Sequence, residues 1–276
     1  MRLGNVEFFV VSDGVMKSDA GGVYGLVPKS LWENVTPADD QNRIPTHLNC
    51  LVIRSQGKTI LIDTGLGSKL DARTEAFFGR AGGAQLLNEL ARSGIAPSEI
   101  DIVINTHLHL DHCGGNTLRA NGNLAATFPR AEYWIQRLEW ADAAFPNERT
   151  RATYLAENFI PLGEQTRLIE GDTRVTDEVR CLITRGHTRA HQSVLIESNG
   201  KKALFIGDIA GRAVYLERLA WIPAYDIEPL ETLETKRRLR AWAVEENILL
   251  IFQHEYLLTM GYMRREGERW WVEKVE

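Results

Sequence analysis

Nothing in this 276-residue chain supplies a surplus of positive charge: 32 Lys and Arg stand against 37 Asp and Glu, a formal net charge of −5. A protein that neutralises a phosphate backbone needs the opposite balance, so nucleic acid is not an expected partner. Long apolar runs are also missing. No stretch approaches the roughly 20 residues of a membrane helix, so no membrane partner is expected either. The first apolar cluster, Phe8-Phe9-Val10-Val11, is too short for the core of a secretory leader and has no basic region of the usual kind before it. Cysteine is scarce. Cys50, Cys113 and Cys181 are odd in number and widely spaced, which makes no disulfide framework and suits a reducing compartment. The expected location is therefore cytoplasmic. Low-complexity segments, internal repeats and Pro/Gly/Ser linkers are absent. With 44% hydrophobic residues there is ample material for a large core, and residues 1–276 read as a single domain.

What is present is a regular supply of apolar runs bounded by turn residues. Strands are expected at Val6–Val11, Leu48–Arg54, Thr59–Ile62, Ile102–Asn105, Glu132–Gln136, Val179–Thr184, Ser193–Glu197, Ala203–Ile206 and Leu249–Phe252. Two pairs read as hairpins, through Ser55-Gln56-Gly57-Lys58 and through Ser198-Asn199-Gly200-Lys201. Helices are expected at Ala84–Ser93, with Leu86, Leu87, Leu90 and Ala91 on one face, and more weakly at Arg137–Ala144 and Arg149–Asn158. The clearest helix is Pro229–Glu246: Pro229 suits the first turn, and Leu230, Leu233, Leu239 and Trp242 recur at roughly helical spacing. Its basic cluster Lys236–Arg240 reads as one solvated face. Strand clusters followed by helices in both halves permit a layered α/β fold of two sheets packed face to face.

Histidine is where the composition becomes specific. After the strand candidate Ile102–Asn105 comes Thr106-His107-Leu108-His109-Leu110-Asp111-His112-Cys113-Gly114-Gly115. Were this a continuing strand, His107, His109 and Asp111 would share a face and His112 would oppose them. Were it to turn directly after the strand, all four could face two adjacent ions. Three further candidates follow predicted strands: His187, Asp208 and His254. Ligands at strand ends gather along one edge of a sheet. Five imidazoles and two carboxylates suit two divalent ions, zinc first, with iron, manganese or cobalt as alternatives and a position left for water. Cys113 is read as packing, since one thiol makes no closed structural zinc site.

The run His107–His112, with Gly186-His187-Thr188, Gly207-Asp208 and His254, resembles the metallo-β-lactamase-fold hydrolases, and does so over most of the chain. That resemblance implies an αββα sandwich of two mixed β-sheets flanked by helices. It assigns His107, His109 and His187 to a first metal, Asp111, His112 and His254 to a second, and Asp208 to a bridge between them. It also implies that Asp63, in the turn Asp63-Thr64-Gly65-Leu66-Gly67, buttresses the site. The stretches 19–32, 48–53 and 225–230 are similar to the quorum-quenching N-acyl-homoserine-lactonase branch, in particular its YtnP-like members. Two departures from that pattern stand out. The usual Gly-His-Thr-Pro-Gly-His stands here as Gly186-His187-Thr188-Arg189-Ala190-His191, and the position three after Asp208, often a catalytic tyrosine in the branch, is Gly211.

The function that follows is a dinuclear metal-dependent hydrolase opening lactone rings, N-acyl-homoserine lactones first, by attack of a metal-bridging hydroxide. Asp111 and Asp208 are the catalytic candidates, Asp208 holding the nucleophile and returning its proton to the leaving oxygen. Alternatives on the same ligands are a glyoxalase II-like thioesterase, a phosphotriesterase-like hydrolase and a non-catalytic metal-binding protein. His191 is expected to support its neighbours by hydrogen bonds, and His47 to sit in the core or on the pocket rim. Tyr24, Leu26 and Trp32, from a lid at 21–32, with Tyr215 and Trp221, are the candidates for apolar pocket walls. Trp270-Trp271 reads as a packed or partner-facing patch. The expected partner is a small lactone or ester, and a homodimer is open because the N-terminal hydrophobic segment suits an interface as well as a lid.

Overall fold

Leu51 and Ile53 point into one hydrophobic layer while Cys50 and Val52 point into another, the alternation required of a strand buried on both faces. The computed structural model describes residues 1–80, 82–255 and 257–275. In chain order the first sheet begins with β1 (Arg2–Leu3), β2 (Val6–Asp19), β3 (Arg43–Ser55), β4 (Lys58–Ile62) and β5 (Ile102–Ile104). A small hairpin of β6 (Thr117–Ala120) and β7 (Asn123–Ala126) intervenes before β8 (Glu132–Gln136) and β9 (Thr166–Ile169) complete that sheet. The second sheet holds β10 (Thr173–Arg174), β11 (Val179–Ile183), β12 (Gln192–Ser198), β13 (Lys201–Phe205), β14 (Leu249–Ile251), β15 (Met260–Glu266) and β16 (Arg269–Lys274), in that order across it. Both sheets are mixed. β1 to β4 pair antiparallel and β4, β5, β8 and β9 parallel, while in the second sheet β13 and β14 are the parallel pair.

Three apolar layers hold these sheets together. Between them lie Leu51, Ile53, Ile60, Ile62 and Ile104 against Val194, Ile196, Phe205 and Ile251. Outside the first sheet, Leu86 and Leu90 of the helix Leu86–Arg92 cover Val52, Leu61 and Val103. Outside the second, Leu239 and Ala243 of the helix Pro229–Glu245 cover Leu204 and Leu250. That helix is also the crossover that parallel β13 and β14 need. The result is the αββα sandwich that the family resemblance implies.

Both expected hairpins form, at Ser55–Lys58 and Ser198–Lys201. Several local expectations are corrected. Residues 149–153 make turns and 154–155 are irregular, followed by a 3₁₀ turn at Ala156–Asn158, instead of a helix over 149–158. Asn147 Oδ1 accepts from the backbone N–H of Arg149 and Thr150 at 2.9 and 3.2 Å, local bonding that competes with a helical ladder. Leu87 and Ala91 of the first helix are exposed. The Pro229–Glu245 helix buries Thr232, Thr235, Lys236, Leu239 and Ala243 and leaves Leu230 in solvent. Lys236 therefore does not belong to a solvated basic face: its Nζ donates to the Trp221 carbonyl at 2.7 Å, 5.8 Å from the Tyr215 ring. The strands β2 and β3 run much further than their apolar cores. Beyond a bulge between Ser12 and Val15 they pair again, Val15–Asp19 against Arg43–His47, and this extension carries Met16 and Ser18 toward the site. The hairpin β15–β16 was not among the expected strands. Its Trp270 is packed, with Arg240 and Arg265 stacked at 4.1 and 4.9 Å from the ring.

Candidate metal centre

The chain leaves β5 at Asn105 and turns, so the His-rich run is not a continuing strand. His107 and His109 lie in the turn, and Asp111 and His112 on the short helix Leu110–Cys113. From the second sheet come His187 after β11, Asp208 after β13 and His254 after β14. The two sheets thus deliver ligands to one shared edge. The candidate donor atoms fall into three interlocking triads, each within 4.8 Å: His107, His109 and His187; His107, His112 and Asp208; Asp111, His112 and His254. His187 Nε2 lies 3.1 Å from His109 Nδ1 and 3.5 Å from Asp208 Oδ2. His112 Nε2 lies 3.4 Å from Asp208 Oδ2 and 3.7 Å from Asp111 Oδ2. His254 Nε2 lies 2.9 Å from Asp208 Oδ1 and 3.8 Å from Asp111 Oδ2.

This donor set fits divalent metal. His107 Nε2 and His112 Nε2 are buried with no hydrogen-bond partner among the described residues, a costly state unless something else satisfies them. Burial, followed by the neighbouring imidazoles, holds His107 and His109 well below the usual histidine range, so both rings are neutral and free to coordinate. For Asp208 burial works against ionisation, but His254 and His112 outweigh it and keep the carboxylate charged.

A second ring of contacts aims these ligands. Asp63 takes a left-handed backbone conformation, φ 57°, at the end of β4. Its carboxylate accepts from Thr106 N and Oγ1, both at 2.8 Å, and lies 2.9 Å from His112 Nδ1. His191 is held by Thr184, and its Nε2 accepts from the backbone N–H of Asp208 at 3.0 Å. Burial, with the nearby His187, pushes its pKa down to about 3, which keeps that nitrogen an acceptor. His47 is half-buried, and its backbone carbonyl accepts from His254 Nδ1 at 2.7 Å. Sequence reasoning missed two carboxylates. Asp226 Oδ1 lies 2.7 Å from His187 Nδ1, while its Oδ2 accepts from Thr232 Oγ1 at 2.6 Å. Glu139, fully buried, accepts from Leu108 N, Tyr154 Oη and Thr188 Oγ1 and so ties the His107–His109 turn to the His187 loop. Only the position of Asp226 just before a Pro-started helix hinted at a special role.

A cavity of about 640 Å³ opens over His109, Asp111, His187 and Asp208, with Met16, Phe77, Phe78 and Leu110 as its apolar wall and Arg43 and Lys17 further out. A recess of about 60 Å³ continues from the same ligands to Val23, Thr46, Gly211, Arg212, Tyr215 and His254. Of the expected wall residues, Tyr215 lines the recess. Tyr24, Trp32 and Trp221 instead form an aromatic core cluster, Tyr24 stacked on Trp32 at 5.2 Å and edge-on to Trp221 at 5.6 Å. Their rings are drawn into the apolar layer outside the second sheet. Leu26 is fully solvent-exposed. Residues 21–32 thus brace the outer helical layer, with Val23 reaching the recess.

An αββα sandwich that gathers imidazoles and carboxylates at one edge of its sheets defines a metal-dependent hydrolase. The comparisons agree. The chain belongs to the metallo-beta-lactamase superfamily, whose domain matches residues 43–244. It is 28% identical over 216 residues to an N-acyl homoserine lactonase of Bacillus cereus, covering 75% of this chain and 80% of that protein. Among solved structures it is similar to a probable metal-dependent hydrolase from Staphylococcus aureus, with a TM-score of 0.93, 27% identity, and coverage of 100% and 99% of the two chains. AidC, a dizinc quorum-quenching lactonase, shares the fold with a TM-score of 0.84 at 18% identity, over 100% of this chain and 96% of that one.

Proposed function

We propose that this protein is a dinuclear hydrolase that opens N-acyl-homoserine lactones, the whole chain acting as one domain because both sheets supply the ligands. The observation that carries this reading is the set of three interlocking triads opening onto a deep cavity whose one wall is apolar. His107, His109 and His187 would hold one ion and Asp111, His112 and His254 the other, with Asp208 between them. Two divalent ions, zinc by the chemistry of the donors, would supply Lewis acidity and a water of lowered pKa. The chain's own residues do the rest. Asp208, fixed by His191 through its backbone N–H, is placed to accept a proton at a carboxylate oxygen and return it to the leaving oxygen. Asp111 sits on the cavity wall. Met16, Phe77, Phe78 and Leu110 offer an acyl chain a surface that also excludes water. Lactonase relatives support the substrate class. Three buried free cysteines support a reducing, cytoplasmic setting.

The test is a panel on metal-replete protein: homoserine lactones of graded chain length, a glutathione thioester and a phosphotriester, followed by acid release or chromophore. Chelator-sensitive opening of the lactones, with two metals per chain, is expected. Preference for the thioester would transfer the site to another substrate, and bound metal with no turnover would make the protein a binder.

A further inference from the structure

Gly211 puts no side chain into the recess beside Asp208 and His254, and a Cβ there would lie 2.9 Å from His254 Cδ2 and 3.0 Å from Asp208 Oδ1. Any hydroxyl that meets substrate at the reacting group must therefore come from another wall. Among the described residues, two tyrosines line the site. Tyr215 is committed: its ring is buried and its hydroxyl donates to the Val23 carbonyl at 2.7 Å. Tyr225 is not. Its hydroxyl has no hydrogen-bond partner among the described residues, and the ring borders the main cavity, the Gly211 recess and a third opening of about 150 Å³ beside His109.

Its neighbours on either side in the chain are strapped in place from three directions. Ala224 N donates to Gly22 O at 2.9 Å, Arg149 Nη2 donates to Ala224 O at 2.7 Å, and the next residue, Asp226, bonds to His187. Space for the hydroxyl comes from Gly22, where a Cβ would lie 2.1 Å from Tyr225 Oη. The residue is 45% exposed, but enclosure of its hydroxyl end against Gly22, with Asp19 and Asp111 nearby, pushes the phenol up to about 12, so the group keeps its proton at working pH and donates to an anion.

We propose that the Tyr225 hydroxyl donates a hydrogen bond to the substrate's leaving oxygen, which makes Tyr225 a catalytic residue of this site. The inference rests on the lactone reading above. In that reaction the carbonyl carbon gains the oxygen of water, and the ring C–O bond breaks with its electron pair passing to the leaving oxygen. A proton from the water ends on that oxygen. Tyr225 stabilises the charge in transit and keeps its own proton.

The experiment compares the metal-loaded parent with Tyr225→Phe, Gly22→Ala and the double variant. For Tyr225→Phe, kcat on an N-acyl-homoserine lactone falls roughly 10- to 100-fold, the cost of one donor to a developing anion. Hydrolysis of p-nitrophenyl acetate, whose leaving oxygen needs little help, stays near the parent's. Metal content and melting temperature are unchanged, while calorimetry shows weaker binding of the ring-opened acyl-homoserine. Gly22→Ala keeps the phenol but displaces it, so it reproduces the lactone defect, and the double variant is no worse than Tyr225→Phe alone. Parent-level lactone turnover in Tyr225→Phe, an equal fall on both substrates, or additive defects in the double variant would overturn the assignment. A parent inert toward every lactone would remove the lactone reading beneath it, whereas an active parent with an unaffected variant removes only Tyr225.

Discussion

Asp226→Asn isolates what one buried charge contributes to a ligand. Asp226 Oδ1 stands 2.7 Å from His187 Nδ1, both side chains are buried, and Thr232 Oγ1 holds the other carboxylate oxygen at 2.6 Å. Burial opposes a proton on His187, but the Asp226 bond, with Asp208, outweighs it and raises the pKa of the ring. The carboxylate thus fixes the Nδ1–H tautomer and makes Nε2 the more basic nitrogen, the one that faces His109 and Asp208. Asparagine has the same shape and can still accept from Nδ1–H, so the geometry survives while the charge is lost. Losing such an outer contact lowers metal affinity about 10- to 100-fold, or about 1.4 to 2.7 kcal/mol. Competition against a chromophoric chelator near neutral pH should show two zinc ions bound by the parent. In the variant one of them should weaken by that factor, while the ion served by Asp111, His112 and His254 stays close to its parent affinity. Excess zinc should restore turnover. Two unchanged affinities would refute the claim that Asp226 tunes His187.

Lys236 predicts a pH dependence of stability. Burial pushes its amine from 10.5 down to about 7, a penalty on the protonated form on the order of 5 kcal/mol. Between about pH 7 and 10.5 the folded protein binds fewer protons at this site than the unfolded chain, so this contribution to stability rises with pH and is at its worst below pH 7. Lys236→Met should exceed the parent by a few kcal/mol in urea unfolding at pH 6, after loss of the bond to the Trp221 carbonyl, and lose that advantage toward pH 10. A pH-independent difference would refute it. Gly211→Ala places a methyl against His254 and Asp208 at a helical φ of −59°. The clash should cost about 1 to 3 kcal/mol and weaken one of the two ions, which metal analysis after dialysis would record. Full retention of both ions would show that the cradle has slack.

The candidate ligand residues were legible because their chemistry is unusual and their positions are not: each follows an apolar run that reads as a strand. Strand ends at one edge then bring together His107, His187 and His254, which lie far apart in sequence. The supporting carboxylates were illegible for the opposite reason. Glu139 and Asp226 are common residue types, and what they touch is decided by how the helix Arg137–Ala144 and the 222–228 loop pack against distant turns. Lys236 misled through its neighbours, since Arg237 and Arg238 are exposed while the helix is rotated to bury Thr232 and Thr235. The hairpin β15–β16 was missed because its arginines mask the alternation of buried Gly261 and Met263 with partly open Tyr262 and Arg264. The aromatic residues of the 21–32 segment read from sequence as a lid walling the pocket, whereas the Tyr24 and Trp32 rings are buried in the outer layer.

Crowding at the edge of the two sheets divides the labour among the residues. The ligands occupy the sheet side so completely that Gly211 has no room for a side chain, and its carbonyl is already taken by the His254 N–H at 3.0 Å. Substrate contacts must then come from the facing wall, which is built from segments outside the sheet core: the β2 extension with Met16, the turn with Phe77 and Phe78, and the loop with Tyr225. Those segments carry none of the seven candidate donors, and the Tyr225 loop meets the donor scaffold through Asp226 to His187 and through the N–H groups of Ile227 and Glu228 to the His187 and Gly186 carbonyls. Substitutions in that wall should therefore change which acyl chains are accepted while leaving two metals bound, and substitutions on the sheet edge should do the reverse. A wall variant that lost metal while its fold held would show the two sides to be coupled.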